Sequence, residues 1–421
     1  MTDHRTPKFD FDATKEEYRL NWRETYKKMH AQCPVAYSDA HPEYGGTWVI
    51  SDYDTVHMMS TDDETFEQRH DFPNGSTTFT GMALPPFEHR FIPMDIGYPE
   101  FKDYRRAIRQ RFNLSTVRDQ DARFRQIVNW CMDQHVEAGR MDVINDVAMK
   151  LVGLVIIELV GLPMEGWEDV CHAYHNAVAY TPGTPDGDKA YATIMRVSQQ
   201  LREEFEDRKL NPRDDLLTDL AHAQIDGKPI DVDEAVDTCS LVLSGGSETT
   251  ATLIAWSISW LAEHPEERHR LIGDDVLLDK ACDEFLRWNP PNHVLCRNVT
   301  KDIEVNGIQF REGDRVQLSW AGANYDEKVF ERPDEVIIDR FPNRHASFGF
   351  GGHRCLGLHH ARGEFRAMMS EFLRRIPDYT VTSAVRYPKI DLSNGFFNME
   401  IEFPPTPSEN TPNPFEEATI A

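Results

Sequence analysis

Phe348-Gly349-Phe350-Gly351-Gly352-His353-Arg354-Cys355-Leu356-Gly357 is the stretch whose reading decides the fold of this 421-residue chain. Three glycines precede the cysteine and a fourth follows two positions after it. Glycine accepts the left-handed backbone of tight turns and lets main chain come close to a ligand. Beyond the loop, Leu358, Ala361, Phe365, Met368, Phe372 and Ile376 recur at helical spacing. The pattern predicts a glycine-rich loop that carries Cys355 into a helix N-terminus. Free amides and the helix dipole at such a place favour an anion, which lowers a thiol's pKa. A thiolate held in this way is a nucleophile or a metal ligand. The plainer alternative is a structural cysteine beside a turn. A zinc site drawn from His353, Cys355, His359 and His360 is a third, but ligands crowded at one helix start suit a single tetrahedron poorly.

Away from the loop, the composition narrows the classes. Lys and Arg number 45 against 71 Asp and Glu, a net charge of −26. So acidic a surface argues against nucleic acid and anionic membrane as partners. No window of about 18 consecutive apolar residues is present, which excludes a spanning helix by sequence. Residues Met1 to Asp10 are polar and mixed in charge, unlike a signal peptide. The expectation is a cytoplasmic, soluble monomer. Seven scattered cysteines suit a reducing compartment better than a disulfide framework. Residues 1–20 read as a flexible arm, 21–403 as one domain, and 404–421 as a disordered tail, with five prolines in 404–414.

Four other segments stand out. A helix is expected from Val232 to Glu263, with Asp231 and Glu234 as an N-terminal cap and His264-Pro265 as its stop. Its middle, Ser244-Gly245-Gly246-Ser247-Glu248-Thr249-Thr250, breaks helix rules. Interior glycines cost about 1 kcal/mol each against alanine. Glu248 lies between apolar runs, and a buried carboxylate is expensive unless it has a partner or a task. A second helix carries Phe101, Tyr104, Arg105, Ile108 and Phe112 on one face, with a cluster of Arg105, Arg106, Arg109 and Arg111. Glu284 and Arg287 are one helical turn apart, which alone is a weak signal. Residues 67–98 form a long loop with scattered aromatics, the kind that often walls a pocket. Residues 118–210 read as mostly helical, and 47–50, 294–299, 303–305, 316–318 and 396–401 as short extended segments.

Together these segments resemble the cytochrome P450 family, and within it the soluble bacterial terpenoid hydroxylases. The cysteine loop matches the family's haem-binding loop at every defining position. Gly245-Gly246-x-Glu248-Thr249 matches its oxygen-binding segment, with glutamate for the commoner aspartate. Glu284, Arg287 and Arg340 match its structural network. The resemblance implies a mainly α fold with a small β region, a helical triangular prism around haem. It implies haem b with Cys355 as thiolate ligand, Phe348, Gly349 and Gly357 around the sulfur, and Gly245 close to the flat face. It assigns Arg105, Arg297 and His353 to the haem propionates. The family's His or Trp four residues before that first arginine is here Phe101, so one propionate contact is expected to be missing or supplied elsewhere. Glu248 and Thr249 are the implied catalytic pair, delivering protons toward dioxygen.

The implied reaction is insertion of one atom of O2 into a small, mostly apolar organic substrate, terpenoid-like or aromatic. Electrons would come from NAD(P)H through a flavin reductase and a [2Fe–2S] ferredoxin, because no dinucleotide-binding Gly-x-Gly-x-x-Gly stretch is present. Arg106, Arg109 and Arg354 are the expected docking residues. The expected substrate contacts are His89, Met94, Leu241, Val242, His293, Val294, Phe396 and Phe397. A peroxide-driven peroxygenase and a non-catalytic haem-thiolate sensor are the rivals, and neither needs the acid–alcohol pair.

Overall fold

The computed structural model describes residues 5–42, 45–69, 81–84, 90–164, 166–180, 183–390 and 393–417. His89 therefore lies outside the described residues. About half of the chain is helical, beside small β-sheets. The larger sheet has five strands in the spatial order Val35–Ser38, Thr47–Ile50, Arg315–Ser319, Val294–Val299 and Phe66–Glu67. Only the pairing of Thr47–Ile50 with Arg315–Ser319 is parallel. A second sheet joins Thr380–Arg386, Phe396–Glu402 and Arg140–Asp142.

The helical mass is organised around Met149–Val160, whose sequence MKLVGLVIIELV is buried nearly all round. A helix apolar on every side belongs in the centre of a large core. It packs against Val232–Ser247 and Trp167–Ala179. The helix Leu358–Arg375, which follows the cysteine loop, packs against Asp121–Asp133 and Asp275–Trp288. These packings leave a cavity between the cysteine loop and the helices that begin at Val232 and Thr249.

Three of the sequence expectations are corrected by the structure. The expected helix from Val232 to Glu263 is two helices, Val232–Ser247 and Thr249–Glu263, that meet at Glu248 (φ −119°, ψ −44°). Consecutive glycines, together with a Thr249 hydroxyl that donates to the Gly245 carbonyl at 3.0 Å, weaken the regular ladder there. The expected arm is anchored. Phe9 N–H donates to the Tyr37 carbonyl, Tyr37 N–H to that of Pro7, and buried Phe11 packs edge-on against Tyr18, a buried residue of the helix Glu16–Gln32. The expected disordered tail is ordered through residue 417. Asp133 accepts from the amides of Glu409 (2.8 Å) and Thr411 (2.7 Å), and Phe415 packs edge-on against Trp130. Proline lacks an N–H but leaves an extended segment free to bond through its other amides, and the tail closes in a short helix, Pro414–Glu417. Within 118–210 the helices are interrupted by the strand Arg140–Asp142 and a wide turn over Val143–Ala148.

A buried ion network fixes the chain before the cysteine loop. Arg287 makes a two-pronged contact with Glu284, at 2.9 and 2.8 Å. Both side chains are fully buried. Arg340 adds a third bond to the same carboxylate at 2.9 Å, Asn343 a fourth at 3.0 Å and the Ile337 amide a fifth at 2.9 Å. Arg287 also donates to the carbonyls of Pro333 and Glu335. Removing the carboxylate leaves a guanidinium without its counter-charge in the interior, which costs about 3–5 kcal/mol. We expect Glu284→Ala to lower the unfolding free energy by that much, read as a lower denaturant midpoint, or to abolish folding, and Glu284→Gln to lose less. A midpoint equal to wild type would show that the network does not hold this segment.

Candidate functional site

The cysteine loop folds as its glycines require. Gly349 and Gly351 have φ of +63° and +67°. A Cβ on Gly351 would lie 2.6 Å from the Ser60 carbonyl oxygen, and one on Gly352 would lie 2.5 Å from the Phe101 ring. The loop closes when Cys355 N–H donates to the Phe348 carbonyl at 2.8 Å. The Gly357 amide bonds to the Cys355 sulfur. The thiol is nevertheless pushed up, not down. Burial outweighs the Gly357 amide and the charges of Arg105, Arg354 and Arg362. The expectation of a lowered pKa weighed the helix terminus and missed this desolvation, which acts although the side chain is exposed to the cavity. A cation at the sulfur would favour loss of its proton.

Cys355 opens on a cavity of about 250 Å³. Phe348, Gly349, His353 and Gly357 line the same wall. The Phe348 ring is held by the Arg362 guanidinium, 4.8 Å from its centroid. Leu241, Val242, Gly245, Gly246, Thr249 and Thr250 form the opposite wall. The two glycines have different reasons to be there. A Cβ on Gly245 would meet nothing within 4 Å, so this backbone faces open cavity. A Cβ on Gly246 would lie 2.6 Å from Ile156 Cδ1, so this glycine lets the helix seat against Met149–Val160.

Cations gather at one edge. Arg105 lines the cavity and donates to the Arg354 carbonyl at 2.7 Å. Arg297 also lines it, buried, with Nε and Nη1 unpartnered. Burial lowers the Arg297 pKa to about 10 despite the nearby Asp63 carboxylate. The His353 pKa is held well below the usual range, by burial first and then by Arg297 and Arg105. Phe101 packs against the His353 ring at 4.2 Å between centroids, the planes tilted by 32°. The side chain in the place of the family's hydrogen-bonding residue thus buttresses the histidine and offers no donor.

Glu248 does not line the cavity. It is buried, with Oε2 2.5 Å from His175 Nδ1 and Oε1 accepting from Thr252 at 2.8 Å. The Tyr387 hydroxyl is 2.9 Å from the same imidazole. Gly395 makes room for this group, since a Cβ there would lie 2.5 Å from the Tyr387 ring. Thr252 is four residues after Glu248 and could have been found by helical spacing. His175 and Tyr387 come from distant segments and left no sequence signal.

The cavity also receives Gln68 and Pro93, from the segment expected to wall a pocket, and Asn292, Leu295 and Glu364, which were not expected as site residues. Burial takes the Glu364 pKa up to about 8, against a hydrogen bond from Thr250. Of the expected substrate contacts, Met94, Leu241 and Val242 line the cavity. His293, Val294, Phe396 and Phe397 do not. His293 is buried with Nδ1 2.9 Å from the Tyr18 hydroxyl, and Phe396 packs on Trp256 at 4.8 Å. Phe397 lies between Tyr180 and Tyr387. Strand alternation explains Val294: its neighbours Leu295 and Arg297 share the cavity face. The arginine cluster separates as well. Arg106 pairs with Asp103 at 2.7 Å, and Arg111 with Asp219 at 2.6 Å and with Asp214. Arg109 and Arg354 are exposed.

The model of the family described as Cytochrome P450 matches residues 186–396, half of the chain. The chain belongs to the cytochrome P450 family. A steroid C26-monooxygenase of Mycobacterium tuberculosis (strain ATCC 25618 / H37Rv) is 30% identical over 91% of this chain and 94% of the relative. The corresponding enzyme of Mycolicibacterium smegmatis is 29% identical over 91% and 93%. Among solved structures, P450BioI bound to a fatty-acyl carrier protein superposes with a TM-score of 0.82 at 25% identity, covering 92% of this chain and 99% of that one. A Mycobacterium marinum cytochrome P450 bound to pseudoionone has the same fold, with a TM-score of 0.85 at 24% identity over 94% and 99%. Membership makes this chain a P450 monooxygenase and implies a haem-thiolate cofactor, redox partners and an organic substrate. No helix among the described residues is long and apolar enough to cross a membrane.

The Glu248 pocket yields a stability test. His175→Leu removes a partner from a buried carboxylate, a loss of about 1–3 kcal/mol. We expect a lower melting temperature for His175→Leu and a smaller drop for His175→Gln, read by calorimetry. Equal melting of all three proteins would mean that the imidazole does not hold the acid.

Proposed function

We propose that this chain inserts one oxygen atom of O2 into a largely apolar, branched aliphatic substrate of terpenoid or steroid side-chain type, using haem b with Cys355 as the axial thiolate. One observation carries the reading. A single cavity has a thiol on one wall, a helix-break hydroxyl on the other, and a buried guanidinium with unpartnered N–H groups at its edge. The residues present fit haem. Its propionates would satisfy Arg297 and meet Arg105 and His353, and its flat face would lie against the open backbone at Gly245. Bound there, haem would supply the reductive activation of dioxygen needed to oxidise an unactivated carbon.

The protein's own contributions follow from the geometry. The Gly357 amide and the Arg105, Arg354 and Arg362 charges favour the thiolate once the sulfur is coordinated. The Thr249 hydroxyl donates to Gly245 at rest and needs only a rotation to present its proton to the cavity. Glu248, turned away from the cavity, takes protons from the side of His175 and reaches Thr249 by turning at the helix break. Apolar Met94, Leu241, Val242 and Leu295 would exclude water and hold the substrate by shape. A branched aliphatic substrate is favoured over an aromatic one because the M. smegmatis relative is a steroid C26-monooxygenase and one from Mycobacterium bovis is a methyl-branched lipid omega-hydroxylase. The Glu248–Thr249 pair argues for dioxygen over peroxide as oxidant. Electrons come from a separate ferredoxin, of [2Fe–2S] type, and its reductase, docking near the exposed Arg109 and Arg354 and the Asp103-paired Arg106.

Cys355→Ser should abolish the long-wavelength band of the reduced CO complex that marks thiolate ligation. An unchanged band would show that another residue holds the iron. The double variant Arg106→Glu, Arg109→Glu should slow reduction by ferredoxin, with the deficit largest at low salt because exposed charges are screened beyond about 10 Å at 0.1 M. Equal stopped-flow rates at all salt concentrations would place docking elsewhere.

A further inference from the structure

Gln68 is the buried polar group in the cavity that nothing above has used. It is 2% exposed, it lines the cavity, and its Oε1 has no hydrogen-bond partner. An unbonded amide oxygen in the interior is costly unless a ligand satisfies it. Its place in the sheet is informative. Phe66 pairs with Val299 and Glu67 with Asn298 in antiparallel register. One step further along that ladder brings Gln68 beside Arg297, and directly opposed residues share a face. Both side chains line the cavity, and both have unpartnered polar atoms.

Phe101 supplies the complementary observation. It covers His353 with an apolar ring and so brings no donor to the anionic edge of the site. A carboxylate entering between Arg297 and Gln68 accepts from the unpartnered Arg297 N–H groups and from the Gln68 NH2, leaving the amide oxygen to turn toward the guanidinium. The amide carries two donor hydrogens and one acceptor oxygen on a single rotor. Its NH2 donates to the incoming carboxylate while its oxygen accepts from the Arg297 guanidinium.

We propose that Gln68 binds a propionate of the haem, replacing the donor that Phe101 lacks and orienting Arg297 toward the same carboxylate. The inference rests on the haem reading above. The ligand chemistry is a carboxylate held by one neutral and one charged donor, so its loss weakens retention of the group and leaves the thiolate contact in place.

The test follows haem transfer from the ferric protein to excess apomyoglobin, with no turnover involved. Gln68→Leu should release haem about 10- to 100-fold faster, the range for one hydrogen bond to a charged group. Gln68→Glu, of nearly the same shape, sets a second carboxylate against the propionate and should release it faster still. It keeps the inference testable where the leucine variant does not fold. Release from both variants at the wild-type rate overturns the proposal, as does a changed substrate affinity with unchanged haem release, which would make Gln68 a substrate contact. Wild-type protein that binds no haem at all would instead overturn the haem reading.

Discussion

The carboxylate of Glu284 has no access to water and five donors around it, and the geometry of the site descends from that fact. Its partners come from its own helix and from the segment between Ile337 and Asn343. The second of these leads directly into the cysteine loop. Because a buried charge must be fully compensated, the segment has one low-energy position. The loop therefore starts from a fixed point, and its other end is fixed by the packing of Leu358–Arg375 on Asp121–Asp133 and Asp275–Trp288.

A rigid support on one side is matched by unfinished chemistry on the other. Arg297 is buried without full compensation, and the Gln68 amide beside it is unbonded. The Cys355 thiol, exposed to the cavity, has its pKa raised by desolvation from the surrounding protein. The open donors of Arg297 and the thiol of Cys355 are what an anionic, metal-containing planar group would engage. The protein thus leaves polar groups open in its cavity, where binding would recover their cost, and compensates the Glu284 charge fully.

Much of this was legible in the chain. Motifs that depend on backbone conformation or close packing, such as the glycines around Cys355 and Gly246, appear in sequence because few residues can replace them. The Glu284–Arg287 pair is local and shows its spacing. The N-terminal arm and the C-terminal tail were misread because composition reports propensity, whereas their order comes from distant partners such as Tyr37 and Asp133. The expected pocket residues divided by the same rule. Those on the helix before Glu248 face the cavity, while His293, Phe396 and Phe397 are claimed by aromatic neighbours far away in sequence.

The sequence by itself determined the family, the thiol that faces the cavity, the hydroxyl opposite it and the arginines at its edge, since each sits in a short motif whose spacing carries its meaning. Tertiary structure alone decided which way Glu248 points, that the Cys355 thiol is raised, that Phe101 supports His353, and that Gln68 stands unpaired beside Arg297. These are properties of enclosure and of pairing across long separations. A linear pattern holds neither, because desolvation and contact exist only after the chain has closed on itself.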